Sequence, residues 1–274
     1  MNYYVSIIIP VYNVAKYVVR CMDLLSTQTL SEIEVIFVDD HGQDQSINII
    51  QQYITTHQLS EHWHVLQTPN NQGPGAARNI GINASKGEYI AFVDADDWVE
   101  SNMMQMLYRL ACMHQADVAT CSAIMESDDD KQLLLTNPIV QSGIITRDRR
   151  EYLLRNYVSY LWTMLFKREL LTQHNILFPH TRSSEDSAFI GKCLLMANSI
   201  AQTPIPLYHY VVHPNSISHR KGVFRGKDKH ESFASMIQFA KSNQLISQYR
   251  VTLYWVYFKK VIITSILDYI KSLF

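Results

Sequence analysis

Cysteine, glycine and proline are all scarce in this chain: its 274 residues contain 4 Cys, 9 Gly and 8 Pro. Cys21, Cys112, Cys121 and Cys193 lie far apart, so neither a zinc knuckle nor a disulfide framework is expected, and a reducing cytosolic compartment is the default. So few glycines and prolines exclude collagen-like and low-complexity chains, while 47% hydrophobic residues exclude disorder. Long apolar runs are missing as well. The longest charge-free stretch, 193–219, is broken by Pro204, Pro206 and Pro214 and is no membrane span. The first residues go straight into a strand pattern without a charged region and an apolar signal run, so no signal peptide is expected.

Net charge is also nearly absent, at −1, but it conceals a division. Residues 1–218 carry 14 Lys and Arg against 22 Asp and Glu, whereas residues 219–274 carry 10 against 3. An acidic body is therefore followed by a basic tail, and no nucleic-acid partner is expected.

The first half alternates β-branched and aromatic runs with longer amphipathic stretches, the signature of βαβ units around a mostly parallel sheet. Strands are expected at Val5–Ile9, Glu34–Val38, His64–Gln67, Tyr89–Val93 and Asp117–Cys121, with helices at about 15–27, 43–58, 74–84 and 99–114. From 122 to 160 the period is mixed, suggesting loops and a short hairpin. Beyond it the pattern gives a helix from near Ser184, a strand at about 203–212, and helices at about 228–243 and 247–273. In the last of these, Lys260, Thr264, Asp268 and Lys271 form one polar stripe on an otherwise apolar surface, which suits packing on its own domain, on a partner subunit or on a membrane.

In open α/β sheets ligands bind beyond the carboxyl ends of the strands. Strand one ends in Pro10-Val11-Tyr12-Asn13, strand two in Asp39-Asp40-His41-Gly42, and strand four in Asp94-Ala95-Asp96-Asp97-Trp98. Singly these have ordinary explanations: an Asx-turn around Gly42, or Asp97 as the N-cap of the next helix. Together they gather five carboxylates on one sheet edge, and Asp94 and Asp96 suit a hard divalent cation that also holds phosphate oxygens. The loop Asn71-Gln72-Gly73-Pro74-Gly75-Ala76-Ala77-Arg78 allows close backbone approach, and Arg78 offers a planar donor to a phosphate or carboxylate.

These elements resemble glycosyltransferase family 2. The resemblance rests on Ser6 to Asn13, the double Asp after strand two, the pattern at 71–81, and Gly87 to Asp97. It implies an inverting transferase of GT-A fold: α/β and Rossmann-like, with a mostly parallel central sheet flanked by helices and a C-terminal helical extension. Residues 1–218 would form the GT-A domain, with a nucleotide-sugar half at about 1–121 and an acceptor half at about 122–218. Residues 219–274 would be the basic extension.

The resemblance further implies that Pro10, Tyr12, Asn13, Asp39 and Asp40 hold the nucleoside of a sugar donor, usually UDP-linked, assisted by Arg78, Asp94 and Ala95. Asp94 and Asp96 would bind Mn2+ or Mg2+. Ser184-Glu185-Asp186 matches the family's Glu-Asp element, with Asp186 as general base beside Glu185. A helix N-terminus there is expected to keep Asp186 ionised. In some relatives a His near this point joins the metal; His213 is the candidate here and His209 the reserve. Trp162 to Arg168 resembles a further element, with Met164 where Lys is common, which leaves a phosphate contact there open.

The expected activity is hexosyl or N-acetylhexosaminyl transfer from a nucleotide sugar to a hydroxyl of a glycan or lipid-linked oligosaccharide, in cell-surface polysaccharide synthesis. The expected location is the cytoplasm, or the inner face of the membrane through residues 219–274, and homo-oligomerisation stays open. Two rivals are a catalytically degenerate nucleotide-sugar-binding subunit and a sugar-phosphate nucleotidyltransferase. The latter needs a basic glycine-rich loop after strand one, which Val11-Tyr12-Asn13-Val14 does not supply.

Overall fold

A computed structural model describes residues 3–127, 132–138, 140–212 and 226–267. Four strands form a parallel half-sheet: β1 (Val5–Val11), β2 (Ile33–Asp39), β3 (Trp63–Gln67) and β4 (Tyr89–Phe92), in the order β3-β2-β1-β4. Their interstrand helices are α1 (Val18–Ser26), α2 (Ser46–Thr56) and α3 (Pro74–Ala84). Side chains alternate across the sheet, so Ile7 and Ile9 join one buried layer with Val18 and Met22 while Ile8 joins another with Phe92 and Phe189.

The second half is mixed. The short β5 (Trp98–Val99) precedes α4 (Met103–His114), and β6 (Val118–Glu126) runs longer than its sequence pattern indicated. β7 (Gln132–Leu135) folds back on β6 as the anticipated hairpin, and β8 (Gly143–Ile144) leads to α5 (Arg147–Asn156). Then β9 (Met164–Lys167) inserts antiparallel between β4 and β6. This gives the Trp162 to Arg168 segment a structural role. Because β9 runs against β4, Lys167 pairs with Tyr89 at the far end from Asp94, and Arg168 Nε donates to Gly87 O at 2.7 Å. A phosphate contact by these two cations at the strand ends is thereby ruled out.

After α6 (Arg168–Gln173) and α7 (Glu185–Met196), β10 (Ser199–Val211) lies parallel to β6 and antiparallel to β5. It starts earlier than its pattern indicated and absorbs Pro206 through two register shifts, the kind of irregularity at which proline is tolerated in a sheet. α4 likewise begins at Met103 rather than 99, because Trp98 and Val99 pair with β10.

α8 (Gly226–Ser242) and α9 (Ile246–Tyr257) close the described chain, and α9 widens into a π turn at Phe258–Ile263. The last helix is therefore not a uniform α-helix from 247 to 273. Phe233, Met236, Leu253, Val256 and Val261 share the buried layer of Phe92 and Phe189. Lys260 and Thr264, half of the polar stripe, are turned inward, whereas Tyr254, Trp255, Phe258 and Ile266 are exposed. No described helix is long and apolar enough to cross a membrane.

Candidate functional site

The turn after β2 is built by its own carboxylates. Asp39 Oδ1 accepts from His41 N at 2.9 Å and Gly42 N at 3.3 Å, the anticipated Asx-turn, and Asp39 Oδ2 accepts from Gln67 Nε2 at 3.0 Å. His41 takes the left-handed conformation with φ 60°, so the turn survives although its glycine comes one position later. Asn13, also left-handed, accepts from Gln43 N at 2.7 Å.

Asp40 organises the glycine loop. Its Oδ1 accepts from Thr68 Oγ1 at 3.0 Å and Gln72 N at 2.9 Å, and its Oδ2 from Gly73 N at 2.8 Å. Gly73 has φ 90°, open only to glycine without strain, and this aims its amide at Asp40. α3 starts immediately afterwards with Pro74 in its first turn, where a missing N–H costs nothing.

Arg78, on α3, is 6% exposed and joins two remote motifs. Its Nη2 lies 2.9 Å from Asp94 Oδ1 and its Nη1 3.1 Å from Glu185 Oε1. The end of β4 and the first turn of α7 are thus clamped together, 91 residues apart in sequence between Asp94 and Glu185. Close approach is enforced at Gly75, where a Cβ would sit 3.1 Å from Glu185 Cγ and 3.2 Å from Pro179 O. Ser184, at the N-cap of α7, has φ 63°, an uncommon left-handed geometry for serine that is typical of functional sites.

Around these groups lies a cavity of about 560 Å³ lined by Pro10, Tyr12, Asp40, Asn71, Gly73, Arg78, Asp94, Ala95, Asp96, Arg182, Ser183, Lys227 and Asp228, among others. Its volume falls within the range of small-ligand sites. Tyr12 is 48% exposed and presents a ring to it. Asp39, Asn13 and Asp186 are not among the lining residues; Asp39 and Asn13 shape the turn, and Asp186 follows Ser183 of the lining by three positions. The lining also takes in residues that sequence reasoning had not singled out. Arg182 donates to Asn71 Oδ1 at 2.9 Å, and Asp228 comes from α8; neither sits in a motif that marks it.

Asp97 has a different role from the expected N-cap. It is 2% exposed, accepts from Tyr208 Oη at 2.7 Å and from Val211 N at 2.8 Å, and so anchors β10 to the end of β4. Tyr208 Oη in turn accepts from Asp94 N at 3.1 Å. Burial, then Asp96 and Asp94, push the Asp97 carboxyl well above the ordinary range. Asp94 and Asp96 therefore face the cavity within a crowded acidic cluster that a cation would relieve. Among the described residues no three His, Cys, Asp or Glu side chains converge as a closed metal cage. Two carboxylates at the wall of an open cavity instead fit Mg2+ or Mn2+ completed by water and phosphate oxygens.

His209 is excluded as a metal ligand beside Asp96. Its ring nitrogens each lie 3.0 Å from a carboxylate, Nδ1 from Glu126 and Nε2 from Glu100. The ring also stacks on Trp98 with centroids 3.4 Å apart. His213, the first candidate, lies outside the described residues.

Asp186 is half-buried and accepts from its neighbour Ser187 N at 2.6 Å. Burial, then the charge of Glu185, push its carboxyl up to about 7, although Arg78, the Ser187 amide and Lys260 act in the other direction. Against the expectation that the helix N-terminus keeps Asp186 ionised stand its burial and the charge of Glu185, both of which raise its carboxyl.

Known proteins resemble this chain in sequence and in fold. A family model described as Glycosyl transferase family 2 matches residues 6–174. EpsH of Bacillus subtilis is 30% identical over 256 residues, 90% of this chain and 72% of that protein. The poly(ribitol-phosphate) beta-N-acetylglucosaminyltransferase TarS of Staphylococcus aureus is 29% identical over 210 residues, 75% of this chain but 35% of TarS. The crystal structure of TarS residues 1–349 with UDP matches at a TM-score of 0.67 and 25% identity, covering 86% of this chain and 64% of that one. Mannosyltransferase PcManGT of Pyrobaculum calidifontis, solved with GDP-Man and Mn2+, matches at 0.66 over 94% of this chain and 70% of that one; at 18% identity it shares the fold alone.

Proposed function

Because this chain belongs to glycosyl transferase family 2, we propose that it moves a sugar, with inversion, from a UDP-sugar to a hydroxyl of a glycan or lipid-linked acceptor in surface-polysaccharide synthesis. The observation that carries this reading is the Arg78 clamp. It joins Asp94, at the end of β4, to Glu185 of the Glu185-Asp186 turn beside one cavity.

Tyr12 and Pro10 offer the nucleoside an apolar wall, and Asp40 keeps the glycine loop open to it. Asp94 and Asp96 would hold a divalent cation, which when bound neutralises the leaving diphosphate. Asp186 takes the acceptor hydroxyl proton as the oxygen attacks the anomeric carbon. The bond from that carbon to the diphosphate oxygen breaks, and its electron pair leaves with UDP. A carboxylate titrating near 7 is a stronger base than an ordinary aspartate and is still largely ionised above that pH.

The test is a panel of UDP-glucose, UDP-galactose and UDP-N-acetylglucosamine with Mn2+, read by thermal shift and by UDP release. Asp186→Asn is expected to keep the thermal shift and lose UDP release by at least about 100-fold, a typical general-base contribution. Asp96→Ala is expected to lose the Mn2+-dependent shift. Unchanged UDP release in Asp186→Asn refutes the base; no shift with any member of the panel refutes the donor class.

We also assign the exposed face of α9 to contact with an anionic bilayer surface. Tyr254 and Trp255 of α9 and Phe258 and Ile266 just after it are exposed, as are Arg250 and Lys259, and residues 243–267 carry no Asp or Glu.

A further inference from the structure

Lys260 occupies an unusual place for a lysine. It belongs to the π turn that follows α9, a local widening often found at functional sites. Its neighbours Phe258, Lys259 and Ile262 are exposed, yet Lys260 points into the protein. Its Nζ lies 3.4 Å from the centroid of the Tyr157 ring and 3.2 Å from Ser187 Oγ. Tyr157, just after α5, donates from its Oη to Ser187 O at 2.9 Å. The ammonium is thus seated between an aromatic face and the first turn of α7. The residue next to its contact, Ser187, is Asp186, whose carboxylate accepts from the Ser187 amide.

Such a position has a cost that a surface lysine avoids. Burial pushes the Lys260 ammonium down to about 7, and the charge of Asp186 is what acts to hold its proton. The groups acting on Asp186 come from three other elements besides its own. Glu185 opposes its ionisation from the same helix, while Arg78 on α3 and Lys260 on the π turn favour it, and Tyr157, whose ring lies under Lys260, feels the charge of Asp186. Arg78 already divides its two Nη groups between Asp94 and Glu185. Lys260 is the cation from outside this clamp, and Lys259 beside it further weakens its hold on the proton.

We propose that Lys260 is a positioning residue of the acceptor-side site, a cation carried in by the C-terminal helix to hold Asp186 as a carboxylate. The proposal rests on the reading of Asp186 as the base. It gives the C-terminal segment a role in the chemistry, beyond the residues 6–174 that the family model matches. Without this cation, Arg78 and the Ser187 amide alone would oppose desolvation and Glu185, and a smaller fraction of Asp186 would be ionised at neutral pH to accept the proton from the hydroxyl.

A direct titration tests this without knowledge of the acceptor. Carboxyl carbons of the full chain are followed by 13C NMR across pH, and the Asp186 signal is identified by its loss in Asp186→Asn. In Lys260→Met the Asp186 midpoint is expected to rise by at least ~0.5 pH unit, about 3-fold in proton affinity, whereas Lys260→Arg keeps it near the wild-type value. A merely structural lysine would alter the melting temperature without moving the midpoint. If Lys260→Met does not fold, Lys260→Gln, which keeps a hydrogen-bond donor without the charge, serves in its place with the same expectation. An Asp186 midpoint unchanged in the neutral variant overturns the proposal. Failure of the underlying reading is seen separately: Asp186→Asn would then go on releasing UDP, whatever the titration shows.

Discussion

At the scale of single residues, this site is governed by how much water each carboxylate keeps. Asp40 is almost fully buried, yet its three hydrogen-bond donors satisfy it, so it stiffens a loop. Asp186, with one backbone donor and an acidic neighbour, is pushed up to about 7. A carboxyl raised in the folded state binds its proton more tightly than in the unfolded chain, so between about pH 4 and 7 this group makes the protein less stable as pH rises. Asp186→Asn removes that dependence. Its melting temperature is expected to gain on wild type as pH is raised from 5 to 8, and equal differences at both pH values would contradict the raised carboxyl. In wild type, UDP release is expected to rise through about pH 7 as the base loses its proton, which a pH profile of kcat/KM checks.

At the scale of elements, the site is an agreement between β4, α3 and α7. Each is locally ordinary: β4 is a buried run, α3 opens with Pro74, and α7 is buried on nearly all sides. Arg78 makes them one unit through Asp94 and Glu185. Arg78→Met would leave Glu185 as a buried carboxylate without its cation, and breaking such a pair costs about 3–5 kcal/mol. The midpoint of urea unfolding should fall accordingly, with loss of the UDP-induced thermal shift. A stability loss below ~1 kcal/mol would show that Glu185 finds water instead. The β4–β10 junction repeats this logic with Tyr208 and Asp97, where a buried carboxylate holds a strand in register.

At the scale of the whole molecule, a parallel half-sheet carries the cavity floor, and later elements bring in the remaining walls and cations. The exposed apolar face of α9 gives the clearest prediction here. The full chain is expected to co-sediment with vesicles of phosphatidylglycerol and phosphatidylcholine, less with phosphatidylcholine alone, and less as salt rises. Trp255→Ser with Phe258→Ser should abolish this; binding that is indifferent to both charge and substitution would count against the assignment. Much of the molecule was legible beforehand. The β1 to β4 runs, the double Asp turn, the Asp94 and Asp96 pair and the Glu185-Asp186 element are local patterns, written in residues close together in sequence. By itself the sequence therefore determined the α/β class, the family and the carboxylates at the strand ends. Tertiary structure alone decided that Arg78 divides itself between Asp94 and Glu185, that Asp97 and His209 are spent on β10, that Lys167 and Arg168 face the wrong end, and that Lys260 reaches Ser187. Those outcomes depend on desolvation and on partners up to 114 positions away, and neither is encoded in the spacing of a motif.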